Sequence, residues 1–132
     1  MSTSAVPEPT GVVVVTANSG PISVLCVERL LASTAPIALT VIDNASDDGQ
    51  IDAIARLFGA DPRLSIRRNL KNIGFGPAAN QAAVTSKGEW LLVLNPDCLV
   101  GPDTIEKLCS IARSEPRAGI IGVRIVDREG SA

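Results

Sequence analysis

Two aspartates follow apolar segments at points where a carboxylate can meet a ligand. Asp43 closes the apolar run 39–42, and Asp97 comes directly after a second apolar run that ends in Asn95-Pro96. A carboxylate at the position of Asp43 can accept a hydrogen bond from a ligand N–H, and a pyrimidine imide offers one. Asp97 could coordinate Mg²⁺ or Mn²⁺ that bridges two phosphates of a nucleotide. These positions predict a site for a nucleotide and a divalent metal.

Both aspartates also have an ordinary structural explanation. Asp43 could form a turn with Asn44, and Asn95-Pro96 could form a turn in which Asp97 caps the element that follows. Helix capping and the helix dipole account for three polar residues after the turn at Asp43 and Asn44, namely Ser46, Asp47 and Asp48. Asp43 itself is better placed for a ligand, and the functional interpretation of Asp97 depends on its position opposite Asp43.

A glycine-rich segment, GFGPAA at 74–79, matches the G-x-G-x-x-A pattern of dinucleotide-binding domains. That pattern binds a dinucleotide where it links the first strand to its helix, and here it follows the third predicted strand. The first turn, NSGP at 18–21, lacks the glycine series. A NAD(P)-binding Rossmann domain is therefore a lower-ranked alternative, and the simpler use of these glycines is a tight turn that lets a loop approach a ligand.

Five cations could reach a phosphate group. Arg67, Arg68 and Lys71 stand beside the glycine-rich segment, and guanidinium and ammonium groups are natural partners of phosphate. A solvated face is the simpler interpretation of these three residues. The same two interpretations apply to Arg124 and Arg128.

The composition excludes several classes of protein. Histidine and tyrosine are absent, which excludes Ser-His-Asp and Cys-His catalysis and histidine metal sites within this chain. Cys26, Cys98 and Cys109 are an odd number without a Cys-x-x-Cys pair, so we expect reduced cysteines. A net charge of -2 without a basic block argues against a nucleic-acid partner. No signal peptide or bilayer-spanning run is recognisable, so we expect a cytoplasmic domain.

Apolar runs alternate with helical patterns along the chain. The predicted strands are Val12–Thr16, Ala38–Asp43, Leu64–Arg68, Trp90–Asn95 and Gly119–Val126. The helical patterns lie between the prolines at 21 and 36, and at 51–58, 77–86 and 102–113. The third strand alternates most clearly between apolar and polar residues, which predicts a place nearer an edge of the sheet.

This order of elements predicts an α/β fold in which helices cover both faces of a mainly parallel sheet, as a three-layer α/β/α sandwich. We expect residues 1–10 to be a flexible N-terminal segment and 11–132 to form one domain. Ligands bind beyond the carboxyl ends of parallel strands. The segments to consider for a site are therefore 16–18, 43–49, 69–76 and 95–98.

Four segments, taken in order, resemble the N-terminal, nucleotide-sugar-binding part of family 2 glycosyltransferases with the GT-A fold. They are VVVVTAN, VIDNASDDG, NLKNIGFGPAAN and LLVLNPDC, and the resemblance covers roughly residues 12 to 126. It implies an inverting glycosyltransferase of the hexosyltransferase type that uses a nucleotide diphosphate sugar with Mg²⁺ or Mn²⁺. A non-catalytic nucleotide-binding module is the alternative from another class.

The resemblance also implies roles for individual residues. The threonine region after the first strand and the acid after the second hold the base and ribose of the donor, which points to Thr16 and Asp43, with Asn18 as a weaker candidate. The glycine-asparagine loop lies near the donor and implies a further group of residues, namely Asn72, Gly74 and Asn80.

In the D-x-D region of the family, this chain has Asn95 and Asp97, so Asp97 inherits the metal role and Asn95 joins the nucleotide-binding residues. Asn95 replaces an acid and Ala79 replaces a common arginine, departures that could lower the affinity for metal. The N-x-D form resembles the branch that includes rhamnosyltransferases of bacterial envelope polysaccharide biosynthesis. It implies a dTDP- or UDP-linked sugar as donor.

Family members continue into an acceptor-binding portion that supplies the catalytic base. We therefore expect the base beyond Ala132, and interpret Asp127 and Glu129 as solvated residues. The resemblance implies an incomplete GT-A domain, catalytically incomplete alone, whose acceptor is a glycan or a lipid-linked molecule. It also allows membrane association of the full-length protein.

Overall fold

Strands and helices alternate strictly in residues 6–132, the part of the chain that the computed structural model describes. The strands are β1 (Thr10–Thr16), β2 (Ile37–Asp43), β3 (Leu64–Arg68) and β4 (Leu91–Leu94). The helices are α1 (Ile22–Leu31), α2 (Gln50–Phe58), α3 (Phe75–Ala83) and α4 (Thr104–Ser114). No helix among these residues combines the length and the apolar character needed to cross a bilayer.

The four strands form one parallel sheet in the order β3-β2-β1-β4. β1 and β2 lie inside the sheet, where both faces are largely covered, and this explains why their sequences are mainly apolar. β3 lies at one edge, as its alternating sequence predicted. The α/β class and the parallel sheet predicted from the sequence are confirmed.

Successive side chains of a strand point to opposite faces, and β1 shows how this builds two separate cores. Val12 and Val14 pack with residues of α1, α2 and α4 in the larger core. Val13 and Val15 pack with the small alanines of α3 in the smaller one. Helices therefore cover both faces of the sheet, which confirms the predicted three layers.

The path of the chain reverses beside β1. From β1 it proceeds to β2 and β3 on one side, and α3 then carries it across to β4 on the other side. Because all four strands are parallel, their carboxyl ends lie along a single edge of the sheet. In sheets of this kind the crevice at such a reversal, here between β1 and β4, is the place where ligands bind.

The fifth strand predicted at Gly119–Val126 is absent from the described residues. Among residues 6–132 this segment has no strand partner, and most of its apolar side chains are exposed, Ile120 to 94%. The apolar pattern was read correctly, but a strand also requires a neighbour to receive its backbone hydrogen bonds. The prediction was wrong for that reason.

The predicted N-terminal segment, residues 1–10, is only partly described. Residues 1–5 lie outside the described part of the chain, and Thr10 already belongs to β1. Thr10 donates its backbone N–H to the carbonyl oxygen of Pro36, which begins the pairing of β1 with β2. The strand therefore starts two residues earlier than the apolar run suggested.

Candidate functional site

The carboxyl ends of β1 and β2 place two predicted site residues side by side. Thr16 and Asp43 are paired in register as the last residues of their strands. The ladder continues one step further, because the backbone N–H of Asn44 donates to the carbonyl oxygen of Thr16 at 2.8 Å. Thr16 and Asp43 are both buried, and the Thr16 hydroxyl donates to Ser19 Oγ at 3.0 Å.

Asp43 is less open than its sequence position predicted, with only 3% of its surface exposed. Its Oδ1 accepts the backbone N–H of Ser46 at 3.2 Å, which fixes the orientation of the carboxylate. No hydrogen bond within residues 6–132 occupies the other oxygen, Oδ2. One oxygen of a held carboxylate is therefore left to accept a hydrogen bond from a ligand N–H.

The loop after β1 is tied to the loop after β2 by three hydrogen bonds. The Asn18 backbone N–H donates to Ser46 Oγ, the Asp47 N–H donates to Asn18 Oδ1, and the Gly20 N–H donates to Asp48 Oδ2. Asn18 has a positive φ of 50°, a conformation that asparagine tolerates better than most residues. Because it accepts the Asp47 N–H, the Asn18 amide oxygen is already engaged within the protein.

These bonds correct part of the helix-capping prediction. α2 begins at Gln50, so Ser46 is too far upstream to cap it, and the Ser46 hydroxyl instead receives the N–H of Asn18. Asp48 does accept the Gln50 N–H through Oδ1, as expected of an acid at a helix N-terminus. The sequence could not distinguish these cases because the partner of Ser46 lies 28 residues away.

The glycine-asparagine loop after β3 is held at the same edge of the sheet. Gly74 has a φ of 88°, which favours glycine, and its N–H donates to Asn72 Oδ1 at 2.9 Å. The carbonyl oxygen of Gly74 accepts Nδ2 of Asn44 at 3.1 Å. Asn44 follows Asp43 directly, so the loop containing Asn72 and Gly74 is tied to the end of β2.

Hydrogen bonds among three side-chain amides further connect the end of β2 with the start of the loop after β3 and with α3. Asn69 Nδ2 donates to Asn44 Oδ1 at 2.9 Å and to Gln81 Oε1 at 3.0 Å, while Gln81 Nε2 donates back to Asn69 Oδ1 at 3.1 Å. The sequence analysis assigned no role to Asn69 or Gln81. An amide residue directly follows each of β2 and β3, a signal that could have found Asn69 but not Gln81, which lies within α3.

The loop after β4, residues 95–98, is held more lightly. The Asn95 carbonyl oxygen accepts two hydrogen bonds, one from the Cys98 N–H at 3.1 Å and one from the Cys26 thiol of α1 at 4.0 Å. The Asp97 carboxylate is exposed, and within residues 6–132 its only hydrogen-bond partner is the Cys98 thiol at 3.9 Å. Burial of Cys26, together with the neighbouring Cys98 and Asp97, raises the pKa of the Cys26 thiol to about 12.

The register of β4 shows where Asp97 lies relative to Asp43. Val14 pairs with Leu94, so the loop after β4 begins level with the end of β1. β2 and β4 flank β1, which separates their ends by two strand spacings, roughly 10 Å. The two aspartates therefore follow strands that end at one edge of the sheet, on either side of β1.

The described residues contain no group of three or more histidine, cysteine, aspartate and glutamate side chains that could hold a metal ion. Asp97 is one exposed carboxylate without a salt bridge among residues 6–132. Mg²⁺ is often held in this way, by one or two carboxylates together with substrate phosphates and water. The residues present fit a metal that arrives with a diphosphate.

The remaining predicted residues lie on the surface. Asn80 is exposed on α3, one turn beyond the glycine loop. Arg68 forms an exposed ion pair with Asp52 at 2.7 Å, while Arg67 and Lys71 are exposed without a salt bridge in the described part of the chain. Arg124 and Arg128 are likewise exposed, outside any regular element.

Sequence comparison assigns most of the chain, including the residues at this edge, to one protein family. Residues 11–132 match the model of Glycosyl transferase family 2. The chain belongs to this family. The resemblance inferred from the four sequence segments is thereby confirmed, and with it the membership of a family of glycosyltransferases.

Curated relatives support the same assignment. The chain is 33% identical over 137 residues to an N-acetylglucosaminyl-diphospho-decaprenol L-rhamnosyltransferase of Mycobacterium tuberculosis, with 91% of this chain and 42% of the relative aligned. It is 30% identical over 116 residues to the succinoglycan biosynthesis protein ExoO of Rhizobium meliloti, covering 87% of this chain and 32% of that protein. The chain therefore spans less than half the length of these relatives.

Solved structures show the same fold. The crystal structure of S. aureus TarS in complex with UDP-GlcNAc superposes with a TM-score of 0.74 at 18% identity, covering 91% of this chain and 37% of that one. The mannosyltransferase PcManGT from Pyrobaculum calidifontis, in complex with GDP-Man and Mn²⁺, gives a TM-score of 0.72 at 23% identity, covering 83% of this chain and 35% of that one. These similarities confirm the GT-A type of fold.

Proposed function

We propose that this chain is the donor-binding part of an inverting glycosyltransferase of the hexosyltransferase type. It holds a nucleotide diphosphate sugar, and the enzyme moves the sugar to a glycan or lipid-linked acceptor. The observation that carries the proposal is the convergence of Asp43 and the loop of Asp97 on one edge of the sheet, on either side of β1. A pyrimidine nucleoside diphosphate has a base and a diphosphate at its two ends, which suits that separation.

In this proposal the linked loops after β1, β2 and β3 bind the nucleoside. Oδ2 of Asp43 accepts the imide N–H of the base, and Thr16 lies in register beside it. The loop of Asn72 and Gly74 is tied to Asn44, so it lies against the donor from the β3 side. Asn18, Asn80 and Asn95 are the remaining donor-binding residues of the proposal.

Asp97 would hold the divalent metal, Mg²⁺ or Mn²⁺, together with the diphosphate oxygens. A metal bound there supplies positive charge that neutralises the leaving nucleoside diphosphate. The loop of Asp97 is exposed and lightly held, which leaves its carboxylate accessible to a metal–diphosphate complex. The solved structure of PcManGT, which has the same fold, is a complex with GDP-Man and Mn²⁺, and this supports a divalent metal here.

Inversion requires that the acceptor hydroxyl lose its proton as its oxygen attacks the anomeric carbon, on the side opposite the departing diphosphate. The base for this step is a carboxylate supplied by the acceptor-binding part of the enzyme. We place that part beyond the residues of this chain, which spans 42% of the rhamnosyltransferase relative. The domain 11–132 would then bind the donor without catalysing transfer of its sugar.

The donor in this proposal is a dTDP- or UDP-linked sugar, with rhamnose as the first candidate. Support comes from the relative whose name describes an L-rhamnosyltransferase acting on a diphospho-decaprenol sugar. The ExoO relative, named for succinoglycan biosynthesis, supports a role in making a polysaccharide. In this proposal the enzyme is cytoplasmic and works at the membrane that holds its acceptor.

Calorimetric titration of the chain with dTDP and with UDP, each with and without Mn²⁺, tests the proposal. We expect binding that is at least about tenfold tighter with Mn²⁺, and loss of this gain in Asp97→Asn, because the metal joins the protein to the phosphates. Asp47→Asn, an exposed acid of another loop, is the matched control. Nucleotide binding that ignores both the metal and Asp97 would indicate a non-catalytic nucleotide-binding module instead.

A further inference from the structure

The loop between β3 and α3 exposes apolar side chains at the carboxyl edge of the sheet. Leu70 is fully exposed, and Phe75, the first residue of α3, is half-exposed. We refer to residues 69–74, which contain the glycine-asparagine loop, as the β3–α3 loop. A single exposed leucine is ordinary on a protein surface, so the side chains around Leu70 decide whether it marks a binding surface.

Hydrogen bonds fix both ends of the β3–α3 loop. Asn69 is held by Asn44 and Gln81, and Gly74 is held by Asn44 and Asn72. Between these anchors Leu70, Lys71 and Asn72 are exposed to solvent, while Ile73 packs against the smaller core. A tip that projects from a fixed base can enter another surface without unfolding the loop.

The charge around the loop is one-sided. Between Asp61 and Glu89 the sequence contains five cations and no acid, in a chain whose net charge is -2. Arg63 is paired with Asp61 and Arg68 with Asp52. Arg67 and Lys71 are exposed and carry no salt bridge within residues 6–132.

We propose that the β3–α3 loop docks on an anionic lipid surface, with Leu70 and Phe75 entering the headgroup region and Arg67 and Lys71 facing the lipid phosphates. Cations beside exposed apolar side chains are the combination by which peripheral proteins bind such membranes. Charge alone would suffice to bind a soluble acidic partner, whereas an anionic lipid surface binds both the cations and the apolar side chains.

Docking by this loop would turn one edge of the domain toward the membrane. The loop leaves β3 at the end where Asp43 pairs with Arg68, so it lies at the same edge as Thr16 and Asp43. The carboxyl ends of the strands would then face the bilayer surface. This orientation depends only on the loop and does not require that the chain bind a nucleotide.

Co-sedimentation of the chain with vesicles tests the docking, with no nucleotide present. We expect binding to vesicles that mix phosphatidylglycerol with phosphatidylcholine, weak binding to phosphatidylcholine alone, and weakening by salt. Lys71→Glu should lower the partition coefficient at least about fivefold, since each cation near an anionic surface contributes about that factor. Leu70→Ser should lower it by about tenfold through loss of the inserted side chain.

Matched variants outside the loop are the controls. Leu57→Ser replaces another exposed leucine, and Arg113→Glu changes the net charge as much as Lys71→Glu does. Both should bind the mixed vesicles as the unaltered chain does. Circular dichroism should show all four variants folded, because each substituted side chain is exposed.

Three results would overturn the docking. One is equal binding to neutral and anionic vesicles, or none to either. Another is a loss that depends on Lys71 but not on Leu70, which would show that the loop is held by charge alone and that Leu70 does not enter the headgroup region. The last is displacement by inorganic phosphate but not by chloride at equal ionic strength, which would make the loop an anion site. None of these results bears on nucleotide binding at Asp43.

Discussion

The two sides of β1 differ in how firmly their loops are held. On the β2 side, the loops after β1, β2 and β3 are joined by hydrogen bonds through Ser46, Asp48 and Asn44. On the β4 side, the loop containing Asp97 is tied to the rest of the protein through the Asn95 carbonyl oxygen and the Cys26 thiol. The first side is a preformed polar wall, whereas the second is an exposed loop at an edge strand.

This difference suits the two ends of the proposed ligand. A base is recognised by directional hydrogen bonds, which require donors and acceptors fixed before binding. A diphosphate with its metal brings its own charge and most of its own coordination. A rigid side for the nucleoside and an adaptable side for the metal are therefore what such a ligand requires.

The difference should appear first in stability. Val41 in β2 is fully buried (0% exposed), whereas Val93 in β4 is 44% exposed. Val41→Ala should lower the free energy of unfolding by about 2 to 3 kcal/mol through lost burial and an unfilled cavity, and Val93→Ala by less than about 1 kcal/mol. Denaturant unfolding measures both. Equal losses would show that the two sides of the sheet are equally well packed.

The amide network on the β2 side should contribute next. Asn44→Ala removes the partner of Asn69 and of the Gly74 carbonyl oxygen, and should lower the free energy of unfolding by about 1 to 2 kcal/mol. Asn80→Ala, at an exposed asparagine, should change it by less than about 0.5 kcal/mol. If the two variants unfold at the same denaturant concentration, the network does not hold the loops.

Nucleotide affinity should distinguish the acid at the end of β2 from an acid of the loop that follows. Asp43→Asn keeps the size of the side chain but removes the charge, and should weaken UDP or dTDP binding about tenfold, because a charge-assisted hydrogen bond is lost. Asp47→Asn, at an exposed acid nearby, should have less than about a twofold effect. Titration calorimetry gives both affinities. An unchanged affinity in Asp43→Asn would remove the base from this side of the sheet.

The smallest effect concerns the β4 side. Asp97 is one of the groups that raise the pKa of the Cys26 thiol, so Asp97→Asn should lower that pKa from about 12, because a neighbouring negative charge is removed. More thiolate is then present at a given pH below 12. Because Cys26 is fully buried and closed to reagents, its 13Cβ chemical shift across a pH series measures the change, with Asp47→Asn as the control. No change would mean that the Asp97 loop does not lie against α1.

The architecture could be predicted largely from local patterns. Buried parallel strands such as β1 and β2 are marked by continuous apolar residues, whatever their partners are. The segment Gly119–Val126 shows the same pattern without forming a strand, because pairing depends on a neighbour that no local pattern encodes. Element types therefore followed from the sequence more reliably than the membership of the sheet.

The site could be predicted only in outline. The strand-end positions of Thr16 and Asp43 follow from the rule that ligands meet the carboxyl ends of parallel strands. The contacts of Ser46 and Asn69 do not, since their partners lie 28 and 25 residues away and an amide or hydroxyl can serve many partners. Long-range hydrogen bonds between polar side chains are what the sequence leaves undetermined.

Diffraction from crystals of the chain grown with UDP and Mn²⁺, recorded at the manganese absorption edge, tests the proposed site most directly. We expect an anomalous peak that places manganese between the Asp97 carboxylate and the diphosphate. The uracil N–H should donate to Asp43 on the other side of β1. Manganese bound elsewhere, with Asp97 free and the base away from Asp43, would contradict the proposal.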